Sequence, residues 1–194
     1  MGVDLAGSEK RNTGWAILKD RKFQSGVIHT DKQIISLIKI HKVKKVLVDA
    51  PLTLPKGRKS IDKKDDNHFR ECDLKLRKEG IRFFPITLGP MRKLTKRGMT
   101  LKKKLEKLGV KVYEGFPGAS YDRLRVPRKD SKKIRAFLRK AGFPAPTKAT
   151  QDELDALILL LTLCLKEKGK CKPFKGKDGE IIAPPRLLQH KPNK

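Results

Sequence analysis

The chain has 194 residues, the size of one ordinary domain, and carries 48 Lys+Arg against 21 Asp+Glu, a formal net charge of +27. Hydrophobic residues make up 37% and fall in periodic runs, which argues against a disordered chain. The longest apolar run, Ala156 to Leu165, is broken only by Thr162 and is too short to span a bilayer, so no membrane partner is expected. Asp4 interrupts the start of the chain, and no signal peptide is predicted. The three cysteines, Cys72, Cys164 and Cys171, form no Cys-x-x-Cys pair, which points to a reducing cytoplasm rather than a disulfide framework or zinc ribbon.

In chain order, Gly2 to Ala6 reads as a buried strand carrying one acid, Asp4. Thr13 to Leu18 and Phe23 to Ile28 are two more strands, joined by short polar loops into an antiparallel meander. Thr30 or Asp31 caps a helix to about His41, with Ile34, Ile35, Ile38 and Leu37 as its inward candidates. Val43 to Asp49 is a strong strand ended by Pro51, and Leu52 to Asn67 reads as a mobile loop. His68 to Glu79 and Pro90 to Leu108 read as helices, the second strongly basic. Val110 to Glu114 is a strand closed by Phe116-Pro117-Gly118, and Lys129 to Lys140 is another basic helix. Thr150 caps a helix to about Lys168 whose first turn is acidic, and Gly179 to Ala183 forms a short strand. This order predicts an α/β fold, a mixed sheet with flanking helices, as one domain over 1–194 with a helical basic insert around 52–108.

In a chain so basic, the positions of the acids are informative. Asp4 lies inside an apolar strand, Asp49 ends the most apolar strand and Glu114 ends the next. Asp152 and Asp155 share a helix face at i and i+3. Singly, each has a structural alternative: a turn hydrogen bond for Asp4, turn initiation for Asp49, a lysine partner for Glu114 and a first-turn helix acid for Asp152. Jointly, strand-end and helix-start acids converge at one sheet edge. Such a set, without Cys or His, describes a hard-cation site for Mg²⁺ or Mn²⁺, and two such ions support phosphodiester hydrolysis. Asp4, Asp49 and Asp155 are the expected metal ligands, with Asp152 and Glu114 as further catalytic residues.

The segments GVDLAG, TGWAIL, VLVDAP, RECDLKLRKEGIRFFP, VYEGFPGAS and DELDALILLL occur in an order that resembles the domain-of-unknown-function 429 family. The resemblance covers nearly the whole chain. It implies an RNase H-like fold, a relationship to RuvC-type resolvases and a predicted nuclease activity. Residue by residue, it aligns Asp4 with the first-strand acid, Asp49 with the fourth-strand acid, and Asp152 with Asp155 as the C-terminal D-x-x-D. Glu114 matches the fifth-strand acid. The RuvC-like pattern has Glu where this chain has Asp49, a shorter side chain that would shift a bound ion. Arg70 and Asp73 match an R-x-x-D element to which the resemblance gives no role.

The charge itself predicts a polyanion partner, RNA or DNA. Lys10, Arg11, Arg70, Arg92, Lys93, Lys103, Lys104, Arg128, Lys132 and Arg135 are the candidate nucleic-acid contacts, against the alternative of solvated helix faces. Phe83, Phe84, Tyr113, Phe116 and Tyr121 are candidates for base stacking or for core packing. The expected function is a Mg/Mn-dependent nuclease. The alternatives are a nucleic-acid-binding protein on the same fold without turnover, and an actin-like ATPase-type phosphotransferase.

Overall fold

The computed structural model describes residues 1–187. Strand β1 (Gly2–Asp4) is an interior strand of a seven-stranded sheet. It pairs antiparallel with β2 (Thr13–Lys19), which pairs antiparallel with β3 (Lys22–Ile28). On its other side run β4 (Lys45–Asp49) and β5 (Lys111–Gly115), both parallel to it. The sheet ends with β7 (Glu180–Ile182), parallel to β5, and β6 (Phe174–Lys175), antiparallel to β7. The strand order is β3-β2-β1-β4-β5-β7-β6. The expected mixed α/β sheet with flanking helices is therefore present.

The helices are α1 (Asp31–Ile40), α2 (Glu71–Lys78), α3 (Gly89–Glu106), α4 (Pro117–Leu124), α5 (Ser131–Lys140) and α6 (Gln151–Glu167). Strand alternation assigns them to faces. Val3, Val46 and Val48 join Ile34 and Ile38 of α1 and Leu101 and Leu105 of α3 on one face. On the other, α6 packs with α4, α5 and Ala16, while Leu47 meets Leu159 and Leu163. Both capping signals work as predicted. The Thr30 hydroxyl accepts the Gln33 N–H, and the Thr150 hydroxyl accepts that of Glu153, each with a reciprocal side-chain bond.

Three local expectations change. Phe116-Pro117-Gly118 starts a helix instead of only closing a strand, because Pro117 occupies its first turn, where a missing N–H costs nothing. Helix α2 begins at Glu71, so His68 stays outside it and its ring nitrogen meets the Thr87 hydroxyl at 2.7 Å. The segment 52–67 is irregular but has a centre. The buried Arg58 guanidinium donates to the main-chain carbonyls of Ser60, Ile61, Lys63, Asp65 and Asn67 at 2.6–3.4 Å. Five N–H groups meet five carbonyls, so this side chain organises the loop.

Candidate functional site

Parallel strands β1 and β4 both end in aspartate, and the pleat decides where those side chains go. Residues alternate faces along a strand, so Asp4 follows Gly2 and Asp49 follows Leu47 onto the α6 side. Helix α6 then lies directly on the strands. A Cβ at Gly14, which pairs with Asp4, would stand 1.9 Å from the Asp152 carbonyl oxygen. A Cβ at Gly2 would stand 2.2 Å from that of Ala156. Only glycine permits this approach. It brings the first turns of α6, with Asp152 and Asp155, to the edge where Asp4 and Asp49 end.

At this edge the carboxyls of Asp4, Asp49 and Asp155 are all raised. Burial raises the Asp4 carboxyl well above its ordinary range, and the charges of Asp49, Asp155 and Asp152 raise it further. Burial, then the charges of Asp155 and Glu114, pushes Asp49 up to about 8. The Asp4 and Asp49 carboxyls are close neighbours, so their titrations are linked. Asp155 is raised to about 6 by burial, opposed by its hydrogen bonds. Its Oδ1 accepts the Tyr121 hydroxyl at 2.6 Å and the Gln151 amide at 2.8 Å. All four aspartates remain half-exposed at the surface, so the desolvation comes from the protein packed around the carboxyls.

Glu114 does not join them. It pairs in register with Val48, while Gly115 pairs with Asp49, so Glu114 lies on the opposite face. There its Oε2 accepts the Leu52 N–H at 2.8 Å and Arg70 Nη1 at 2.7 Å, and its Oε1 accepts Arg70 Nη2 at 2.6 Å. Arg70 also donates Nε and Nη2 to Asp73, at 3.1 and 2.8 Å, and Nη1 to the Thr53 hydroxyl at 3.1 Å. All five guanidinium N–H groups are used, and the side chain is 1% exposed. The R-x-x-D element is thus a clamp: Arg70, at the N-cap of α2, fixes that helix to β5. Arg70 has no face left for phosphate, which corrects its place among the nucleic-acid contacts.

The expectation of a metal-dependent nuclease is overturned here. Among the described residues, no group of three or more His, Cys, Asp or Glu side chains is arranged to hold a metal ion. The donor set explains the misfit. Burial and neighbouring charge disfavour ionisation of Asp4 and Asp49, Asp155 is taken by Tyr121 and Gln151, and Glu114 is taken by Arg70. A hard cation needs several ionised oxygens directed at one point. The two-metal site, the Mg²⁺ or Mn²⁺ cofactor and the hydrolase assignment fall together.

The basic candidates divide into two groups. Arg11 lines a groove of about 460 Å³ with Asp4, Gly7 and Asp152, and Lys10 is exposed beside it. Arg92 and Lys93 are exposed in the first turn of α3, and Lys93 lies against Gly7. Helix α5 starts beside α6, where the Ser131 hydroxyl meets the Gln151 side chain at 3.4 Å, so Lys132 and the half-buried Arg135 stand near the same edge. Arg128 pairs with Asp122 and lies 5.5 Å from the Phe116 ring. Lys103 and Lys104 are elsewhere. They sit at the far end of α3, roughly 15 Å along its axis from Lys93, and Lys104 meets Asp31 at 2.9 Å. Of the aromatic candidates, Tyr121 is buried, Tyr113 stands under the Lys166 ammonium at 4.1 Å, and Phe84 is 67% exposed.

Arg97, which reads in the sequence as one more cation of a basic helical stretch, has a structural role at the same edge. It donates to Asp31 at 2.9 Å, to the Ala6 carbonyl at 2.8 Å and to the His29 carbonyl at 2.7 Å, holding α3 to the β1–β2 loop. No local pattern distinguishes it from its basic neighbours.

A family model described as a protein of unknown function (DUF429) matches residues 2–180. The chain belongs to the DUF429 family. The match runs from β1 into β7 and contains the four aspartates, the Arg70 clamp and α6. No curated protein is recognisably similar to this DUF429 member. Among the described residues no helix is long and apolar enough to cross a membrane.

Proposed function

We propose that this protein binds nucleic acid along the edge where β1 and β4 end, on an RNase H-like arrangement of strands, in a binding role rather than a metal-dependent hydrolytic one. The observation that carries the reading is the placement of exposed cations. On a chain of net charge +27, Arg11 lines one groove, exposed Lys10 adjoins it in sequence, and Lys93 lies against Gly7 in its wall. Three antiparallel strands followed by parallel strands support the RNase H-like comparison. Unpaired thiols at Cys72, Cys164 and Cys171 suit a reducing cytoplasm.

Phosphate contacts release counterions, so affinity should fall steeply with salt. Contact with about six phosphates of a labelled single strand gives a slope of about −4 in log K against log salt. Fluorescence anisotropy across a salt series measures it. Arg11→Glu combined with Lys93→Glu should weaken binding by about tenfold or more, whereas Lys103→Glu with Lys104→Glu should change it little. A slope near zero, or equal losses for the two pairs, would overturn the reading.

A further inference from the structure

A second cavity, of about 240 Å³, opens beside Asp49 and is lined differently from the groove at Arg11. Its walls are Phe83, Phe84, Phe116, Ile86 and Met91, with Arg82 and Arg128 also lining it. Two of the three rings are held by neighbours. Phe83 packs edge-on against Phe69, whose ring lies under Arg77, and Phe116 lies beside Arg128. Phe84 has no aromatic or cationic neighbour among the described residues and presents a mostly exposed ring. The Arg70 clamp closes the inner side, with every donor already engaged, and Asp49 is the remaining hydrogen-bonding group from the acidic edge.

We propose that this cavity receives one unstacked base of a single-stranded nucleic acid, with Phe84 as its stacking face. The inference rests on the nucleic-acid-binding reading and names its substrate class. A flat aromatic wall suits every base, because each offers a π-face. Exposed Arg82 supplies a cation for a base's own phosphate, while Arg128 is held by Asp122, and the chain's positive charge brings the polymer there. A duplex does not satisfy the cavity, because its bases are stacked and paired and must first be extruded. Single strands, loops and bulges present bases already free to enter.

The test uses the full chain, fluorescence anisotropy and two probes of equal phosphate count: a labelled oligothymidylate and the same backbone made abasic. Wild-type protein should bind the oligothymidylate on the order of tenfold more tightly than the abasic strand. Phe84→Leu keeps apolar bulk but removes the ring, and it should abolish this preference while leaving abasic binding unchanged. Phe84→Trp should restore it. Phe84 is exposed, so its variants are expected to fold, which circular dichroism checks. Equal wild-type affinity for both probes, or a preference that survives in Phe84→Leu, overturns the base pocket while nucleic-acid binding stands. Failure of wild type to bind either probe overturns both.

Discussion

An aspartate enclosed by protein and flanked by other aspartates keeps its proton at a pH where an exposed one has lost it. Asp4, Asp49 and Asp155 all have raised values when folded, Asp49 to about 8 and Asp155 to about 6, against 3.8 for an ordinary aspartate. The native state then binds more protons than the unfolded chain, so these groups lower stability as pH rises. Their contribution is fully present below the unfolded value near 3.8 and is lost as pH climbs to about 8. The Met1 amine works the other way, since burial lowers it from 8.0 to about 6. A comparison of variants isolates the aspartates. Asp49→Asn, which cannot ionise, should gain stability relative to wild type between pH 5 and pH 8 in urea unfolding. An unchanged difference across that range would show that Asp49 is not protonated in the fold.

Elements are joined in this molecule by single polar side chains as much as by apolar packing. Arg70 is the clearest case, since it links α2, β5 and Thr53 with all its donors. Removing it strands two buried carboxylates, so Arg70→Met should cost about 3–5 kcal/mol in urea unfolding. Arg70→Lys should not rescue the loss, because an ammonium has three donors and no planar fork. A cost below about 1 kcal/mol would rule out the clamp. The element order was largely legible in the sequence, because periodicity and caps such as Thr30 and Thr150 are local signals. Glu114 was misread because its face depends on inter-strand register, which places it beside Val48 instead of Asp49. The Arg70 clamp was visible only as a spacing, because its partner Glu114 lies forty-four positions away.

For the whole molecule, an excess of positive charge is a repulsion that folding concentrates. At net +27, screening should relieve more repulsion than it weakens attraction. The thermal midpoint should therefore rise as sodium chloride is increased from low ionic strength. A midpoint that falls steadily with salt would mean that ion pairs such as Arg97–Asp31 and Arg123–Glu79 dominate instead. Composition revealed this charge but not its distribution. Lys93 and Lys103 look alike in sequence, yet α3 sets them roughly 15 Å apart along its axis, and Lys93 lies against Gly7, beside the aspartates.

The segment after Pro55 illustrates a different economy. Arg58 sits among five carbonyl oxygens much as a cation sits in a crown ether, and those oxygens belong to the backbone. The shape of residues 60–67 therefore depends chiefly on one guanidinium and little on the side chains that follow it. Lys59, Lys63, Lys64 and Asp66 are exposed and are interchangeable as far as that shape is concerned. Such a loop behaves as a fixed cassette, in which charges can be exchanged over evolutionary time without redrawing the surface that displays them.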